Sequence, residues 1–167
     1  MKLKALYIIS ILVVCNIGAI AQGGSLLQRI HSIKLLETTD KEIEATFGKP
    51  KKEGPGQIWK YEVGEGDLDI TFTDGRCVTS MLTGALIGWK VPAWRVQEVA
   101  FSPRQPISPK KLGVRLNDFE VRAIEDSKYA KEYFNKNKGE YYILNSSGNV
   151  EDIILIPALG QHNLRCK

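Results

Sequence analysis

Trp59-Lys60-Tyr61-Glu62-Val63-Gly64-Glu65-Gly66-Asp67-Leu68-Asp69-Ile70-Thr71-Phe72-Thr73-Asp74-Gly75 decides the fold class, because apolar and polar side chains alternate along it. Trp59, Tyr61 and Val63 share one face of an extended chain, and Leu68, Ile70 and Phe72 share one face of the next. Gly64 to Gly66 turn the chain between them, and Asp74-Gly75 supplies a second tight turn in which positive φ is tolerated. Val78, Ser80 and Leu82 then fall on one face of a third stretch, with Cys77 and Thr79 on the other. The pattern predicts a three-stranded antiparallel meander with one face that must be covered.

Upstream, Ser32 to Leu36 is a short amphipathic stretch, and Thr39 opens a helix. Glu42 stands three residues after Thr39, the spacing of a capping box, in which hydroxyl and carboxylate each satisfy an otherwise unpaired backbone N–H. Ile43 and Phe47 lie four apart on one face, and Gly48 with Pro50 ends the helix. Lys51 to Gln57 reads as a loop.

A second copy is expected downstream. An offset of 73 residues places Gly66 on Gly139, Ile70 on Ile143, Gly75 on Gly148, Leu82 on Leu155 and Tyr61 on Phe134. Glu132 to Asn135, Tyr141 to Asn145 and Val150 to Ile156 read as strands, with Ser147-Gly148-Asn149 as a turn. Ser108 and Pro109 begin a helix carrying Leu112, Leu116 and Phe119, weakened by Gly113. The expected architecture is α+β: two tandem units, each a helix plus a three-stranded antiparallel meander, forming one sheet layer covered by short helices. The divisions are 1–21 as a signal peptide, 22–85 as the first unit, 86–107 as a Trp/Pro-containing connector with a crossing strand at Val96 to Phe101, and 108–167 as the second unit and tail.

Lys2 and Lys4 precede an apolar run from Ala5 to Val14, too short to span a bilayer and of the length of an export signal. Ala19-Ile20-Ala21 predicts cleavage between Ala21 and Gln22, and hence a periplasmic or secreted protein with no membrane span after processing. Val14 before Cys15 argues against lipidation. Processing leaves 21 basic and 19 acidic residues, a net charge of +2. That is too small to argue for nucleic acid, whose binding needs a clustered basic face, and Lys49, Lys51 and Lys52 read as solvated turn residues. Of three cysteines, Cys77 and Cys166 remain as one even pair, which in an oxidising compartment is expected to form a disulfide.

Catalytic patterns are sparse. His31 and His162, the only histidines, have no Cys, Asp or Glu at ligand or relay spacing. Asp67 and Asp69 read as a solvated strand face rather than a calcium loop, and Gly64-x-Gly66 has no helix after it to hold phosphate. Neither a metal nor a cofactor is expected. Trp89 and Trp94 flank a proline turn, where aromatic side chains offer a binding surface or, more commonly, plug a seam between layers.

The order of helix, Gly48-Lys49-Pro50 stop, Trp59-Lys60-Tyr61 strand and strand-Asp-Gly-strand over Leu68 to Leu82 resembles the repeat unit of β-lactamase inhibitor protein and the SmpA/OmlA outer-membrane assembly lipoproteins. Trp89-Lys90-Val91-Pro92 and Leu164-Arg165-Cys166 also resemble a group of small exported bacterial proteins of unassigned function. The first resemblance covers about 45 residues. It implies a binding style, with Trp89, Trp94, Trp59 and Tyr61 as candidate contact residues, and no target. The functional expectation is a non-catalytic protein-binding or inhibitor-like module whose partner is an envelope or secreted protein. Two alternatives stand beside it: an extracytoplasmic hydrolase using Glu98 or Asp126 between the halves, and a purely structural envelope role.

Overall fold

The computed structural model describes residues 25–54, 57–124 and 130–167. The export signal and Asp126 therefore lie outside the described residues. The chain is mostly β. Two short helices, α1 (Leu26–His31) and α2 (Asp40–Phe47), precede ten strands. These are β1 (Lys52–Gly54), β2 (Ile58–Val63), β3 (Gly66–Phe72), β4 (Cys77–Thr79), β5 (Leu86–Gly88), β6 (Val96–Pro103), β7 (Glu120–Ala123), β8 (Lys131–Asn135), β9 (Glu140–Leu144) and β10 (Val150–Leu155). Eight form one antiparallel sheet in the order β1-β2-β3-β6-β10-β9-β8-β7, and β4 and β5 pair only with each other.

This corrects the expectation of two tandem helix-plus-meander units. The strand after Asp74-Gly75 does not return beside β3, whose free edge is taken by β6 instead. The superposed positions also point to opposite sides of the sheet. Tyr61 and Ile70 face the helices, whereas Phe134 and Ile143 face away from them, and Leu82 is exposed at a loop tip while Leu155 is buried. Because side chains alternate with period two, a copy displaced by one face is not a repeat of the packing. The helix expected from Ser108 is also absent. Gly113 adopts φ +69°, Val114 N–H closes a turn onto Pro109 C=O, and only the 3-10 turn Leu116–Asp118 follows. Gly113 interrupts the residues that would have carried a helical ladder.

The α2 cap forms as its spacing requires. The Thr39 side chain accepts from Glu42 N–H, and the Glu42 carboxylate accepts from Thr39 N–H at 2.7 Å. The bond from Thr39 N–H, and after it a bond from the Thr39 hydroxyl at 2.8 Å, hold the Glu42 carboxyl below its ordinary range. Helix α1, capped in the same way by Ser25 and Gln28, is an element the pattern did not predict. Leu26 and Ile30 of α1 and Ile43 of α2 pack with Leu68, Ile70, Val99, Phe101 and Ile153 in a single cluster, with Ile107, Leu116 and Phe119 at its margin. The central part of one sheet face is thereby buried, while Val121 at its β7 edge stays exposed.

Two β-bulges set which residues reach that core. Between Thr71/Phe72 and Glu98/Val96 the register slips, so Val96 and Val99, three apart, both point inward and Glu98 points outward. A second slip between Val150 and Asp152 lets Val150 and Ile153 do the same. At the start of β3, Gly66 leaves no room for a side chain: a Cβ there would overlap the Ser102 carbonyl and lie 2.8 Å from Pro103 Cα.

Candidate functional site

The sheet face turned away from the helices is where chemistry is available. One cross-strand row on it runs Lys52, Lys60, Asp69, Ala100, Ile154, Tyr141, Phe134 and Glu120. The row divides by character. Over β1 to β3 it is ionic: Lys60 Nζ lies 2.5 Å from Asp69 Oδ2, Lys51 pairs with Glu62, and Arg104 reaches Glu62 at 3.2 Å. The hydrogen bond from Lys51 holds the Glu62 carboxyl down and raises the ammonium. Over β8 to β10 the face is mixed, with Ile154, Ile143, Tyr141 and Phe134 beside Glu132 and Asp152. Tyr141 stacks on Phe134, whose ring is closed off by the Arg122 guanidinium at 3.9 Å from its centroid.

A cavity of about 530 Å³ lies over the ionic half, floored by Lys60, Asp69 and Ser102. Most of its charges already have partners, so it offers little unpaired chemistry to a ligand. A smaller cleft of about 370 Å³ is more informative: Trp89, Gln97, Glu98, Tyr141, His162 and Arg165 line it. The bulge in β6 aims Glu98 into this cleft, and the backbone bridge between Trp89 and Arg165 brings the tail across. Arg165 lies 5.8 Å over the Trp89 ring, and His162 meets the edge of the same ring at 6.4 Å. Glu98 stays largely accessible to water by surface area, yet loss of hydration at the cleft wall raises its carboxyl above the ordinary range.

Cys77 and Cys166 form a disulfide, with Cα atoms 5.7 Å apart. The bond and the Cys166 N–H to Gly88 C=O hydrogen bond clamp the tail beside Trp89. Among the described residues no helix is long and apolar enough to cross a membrane, and no group of three or more His, Cys, Asp or Glu is placed to hold a metal.

No family model matches the chain, and no curated protein does. Among solved structures it is similar to a DUF4309 family protein (YjgB) from Bacillus subtilis subsp. subtilis str. 168, at 10% identity and a TM-score of 0.49, over 77% of this chain and 84% of that one.

The four aromatic candidates do not form one surface. Trp59 and Tyr61 are buried on the helix side. Tyr61 packs on Phe47 with its ring 5.9 Å away, its hydroxyl has no partner among the described residues, and burial pushes its pKa up to about 12. Trp94 is 39% exposed but leans on Trp59 and Phe72, at 6.2 and 5.9 Å, on that same side. It does so at φ +64°, a left-handed conformation unfavourable for a tryptophan. Trp89 alone stands on the opposite side, in the cleft. Pattern reading missed Tyr141 and Arg165 as its companions and found no ligand or relay partner for His162. The signal that could have found them was the Cys77–Cys166 pairing, since a tail bonded at Cys77 must pass close to Trp89.

Proposed function

We propose that the protein is an exported, non-catalytic binding module that holds an envelope or secreted protein in the Trp89–Tyr141 cleft. The observation that carries the reading is the composition of the cleft. A tryptophan, a tyrosine and an arginine converge there next to Ile156, and these are the residue types that dominate the energetics of protein interfaces. Export is supported by the N-terminal pattern together with a disulfide, a bond that persists in oxidising compartments.

The test is retention of a partner from the envelope or culture medium of the native cell by immobilised protein, followed by affinity measurement with that partner. Trp89→Ala and Arg165→Ala are expected to weaken binding on the order of thirtyfold, the loss typical of an interface anchor worth ~2 kcal/mol. Trp94→Ala, on the opposite side of the sheet, is expected to leave affinity unchanged. No retained partner, or a loss confined to Trp94→Ala, overturns the assignment.

A second reading, a carboxylate-using hydrolase, draws on Glu98 and His162 sharing the cleft with a raised Glu98 pKa. Glu98→Gln separates the two: it abolishes turnover of peptide, ester or glycoside substrates if Glu98 is a general acid, and leaves partner affinity intact if the cleft only binds.

A further inference from the structure

The β4–β5 hairpin stands outside the eight-stranded sheet, and from Cys77 to Trp89 it contains no charged residue. Its tip residues Met81 and Leu82 are fully exposed, at 103% and 97%, while Val78, Leu86 and Ile87 remain 42 to 48% exposed. Val78 and Ile87 are cross-strand partners on one face, and Leu86 lies on the other. The arm is therefore apolar at its tip and on both sides. The base is tied to the tail by the Cys77–Cys166 bond and the Trp89–Arg165 bridge.

We propose that this arm seats its Met81-Leu82 tip in the surface layer of a lipid bilayer. Three features favour lipid over a protein partner or a second copy. An arm with apolar residues on every side suits a medium that surrounds it, whereas a protein dock would need one apolar face. Five side chains, three of them only about half exposed, fall well short of the roughly 800 Å² per partner that a stable dimer buries. The third feature is the backbone around the tip, where the four donors flanking Met81 and Leu82 are paired within the turn. Ser80 N–H bonds to Ala85 C=O at 2.8 Å, Gly84 N–H to Ser80 C=O at 2.9 Å, Thr83 N–H to Ser80 Oγ and Ala85 N–H to Thr83 Oγ1, both at 3.3 Å. Unpaired backbone donors are what an apolar layer penalises. The outward backbone edges of β4 and β5 keep the rest of the arm at the polar level, so the tip enters and the base does not.

Charge is partitioned accordingly. Arg76 and Lys90 flank the uncharged stretch, and Arg165 lies against Trp89. Asp74 pairs with Arg76 at 3.5 Å and Glu98 shares the cleft with Arg165, which leaves a small cationic surplus at headgroup depth. That surplus favours anionic lipids by about fivefold per unpaired cation.

The test uses the protein as purified from an exporting host. It is mixed with vesicles of equal parts phosphatidylglycerol and phosphatidylcholine, and with phosphatidylcholine vesicles alone. Leu82→Trp is expected to gain a blue-shifted emission component on the mixed vesicles, quenched by brominated acyl chains, that the wild type lacks. Met81→Ser/Leu82→Ser is expected to bind at least tenfold more weakly with an unchanged Tm, since both side chains are outside the core. Lys90→Gln is expected to reduce the preference for the anionic vesicles. An unshifted Leu82→Trp emission overturns the proposal, as does equal binding by the double variant. Concentration-dependent dimers that disappear in Met81→Ser/Leu82→Ser, without vesicle binding, overturn it in favour of self-association.

Discussion

Glu98 shows how much one extra residue in a strand can decide. Strict alternation from Val96 would turn Glu98 into the core; the β6 bulge turns it outward and places its carboxyl at the wall of the Trp89 cleft. The cost is partial loss of hydration, which raises its pKa from 4.5. Because the folded value lies above the unfolded one, the native state binds this proton more readily. Its contribution to stability is greatest at acid pH and is lost as pH rises from 4.5 through the folded value. Glu98→Gln is expected to remove that falling segment from the stability-against-pH curve, measured by urea unfolding. The Glu98 carboxyl resonance is expected to titrate above the ordinary glutamate range. A midpoint at or below that range would refute the desolvation argument and weaken any catalytic reading of the cleft.

At the scale of elements, Thr73 links three segments that would otherwise drift apart. It is 2% exposed; its hydroxyl donates to Pro92 C=O at 2.8 Å and accepts from Arg95 N–H at 3.1 Å. Its backbone makes two more bonds, from its N–H to Arg95 C=O and from Trp94 N–H to its own C=O. The turn held in this way carries Trp94 in its left-handed conformation, and Trp94 C=O accepts from Asp40 N–H at the start of α2. Thr73→Val keeps the shape and removes the hydroxyl, which leaves Arg95 N–H and Pro92 C=O without that partner in a partly buried setting. The expected loss is about 1 to 3 kcal/mol by chemical denaturation, with the Trp94 fluorescence shifted toward that of a solvated indole. A loss below ~0.5 kcal/mol would mean that water replaces the hydroxyl without penalty. Elements were legible to the extent that their signals are local. The Thr39 capping box, the β2–β3 alternation and the strands after Glu132 all follow from neighbouring residues. The β4–β5 arm was misread as a third sheet strand because Val78 and Leu82 alternate as a buried strand would, and period two says nothing about which edge a strand finds.

For the whole molecule, the Cys77–Cys166 bond joins the hairpin arm to the C-terminal tail across 89 residues of sequence. A loop of that length restricts the unfolded chain by up to ~4 to 5 kcal/mol in the chain-entropy model. Cys77→Ser/Cys166→Ser is expected to lower the urea midpoint accordingly, and to release His162 and Arg165 from Trp89. Unchanged stability together with an unchanged Trp89 environment would show that the Trp89–Arg165 bridge and the Cys166–Gly88 hydrogen bond hold the tail unaided. The bond also ties the cleft to the tertiary fold, because one wall comes from the middle of the sequence, at Trp89 to Glu98, and the other from the C-terminal tail.

Local chemistry was enough to tell that the chain would form antiparallel strands with a capped helix ahead of them, and that its two remaining cysteines made a natural pair. Alternation, capping and turn formation are settled within a few residues, so they can be read along the chain. The order of strands could not be read that way. β6 lies between β3 and β10 because only there do Val99 and Phe101 meet Ile70 and Leu68 on one side and Leu155 and Ile153 on the other. Burial is shared among residues far apart in sequence, and the bulges that aim Glu98 and the core valines arise only once those strands pair. The division of the tryptophans between the two faces has the same origin: it depends on which surface the helices cover, a choice made by the assembled core.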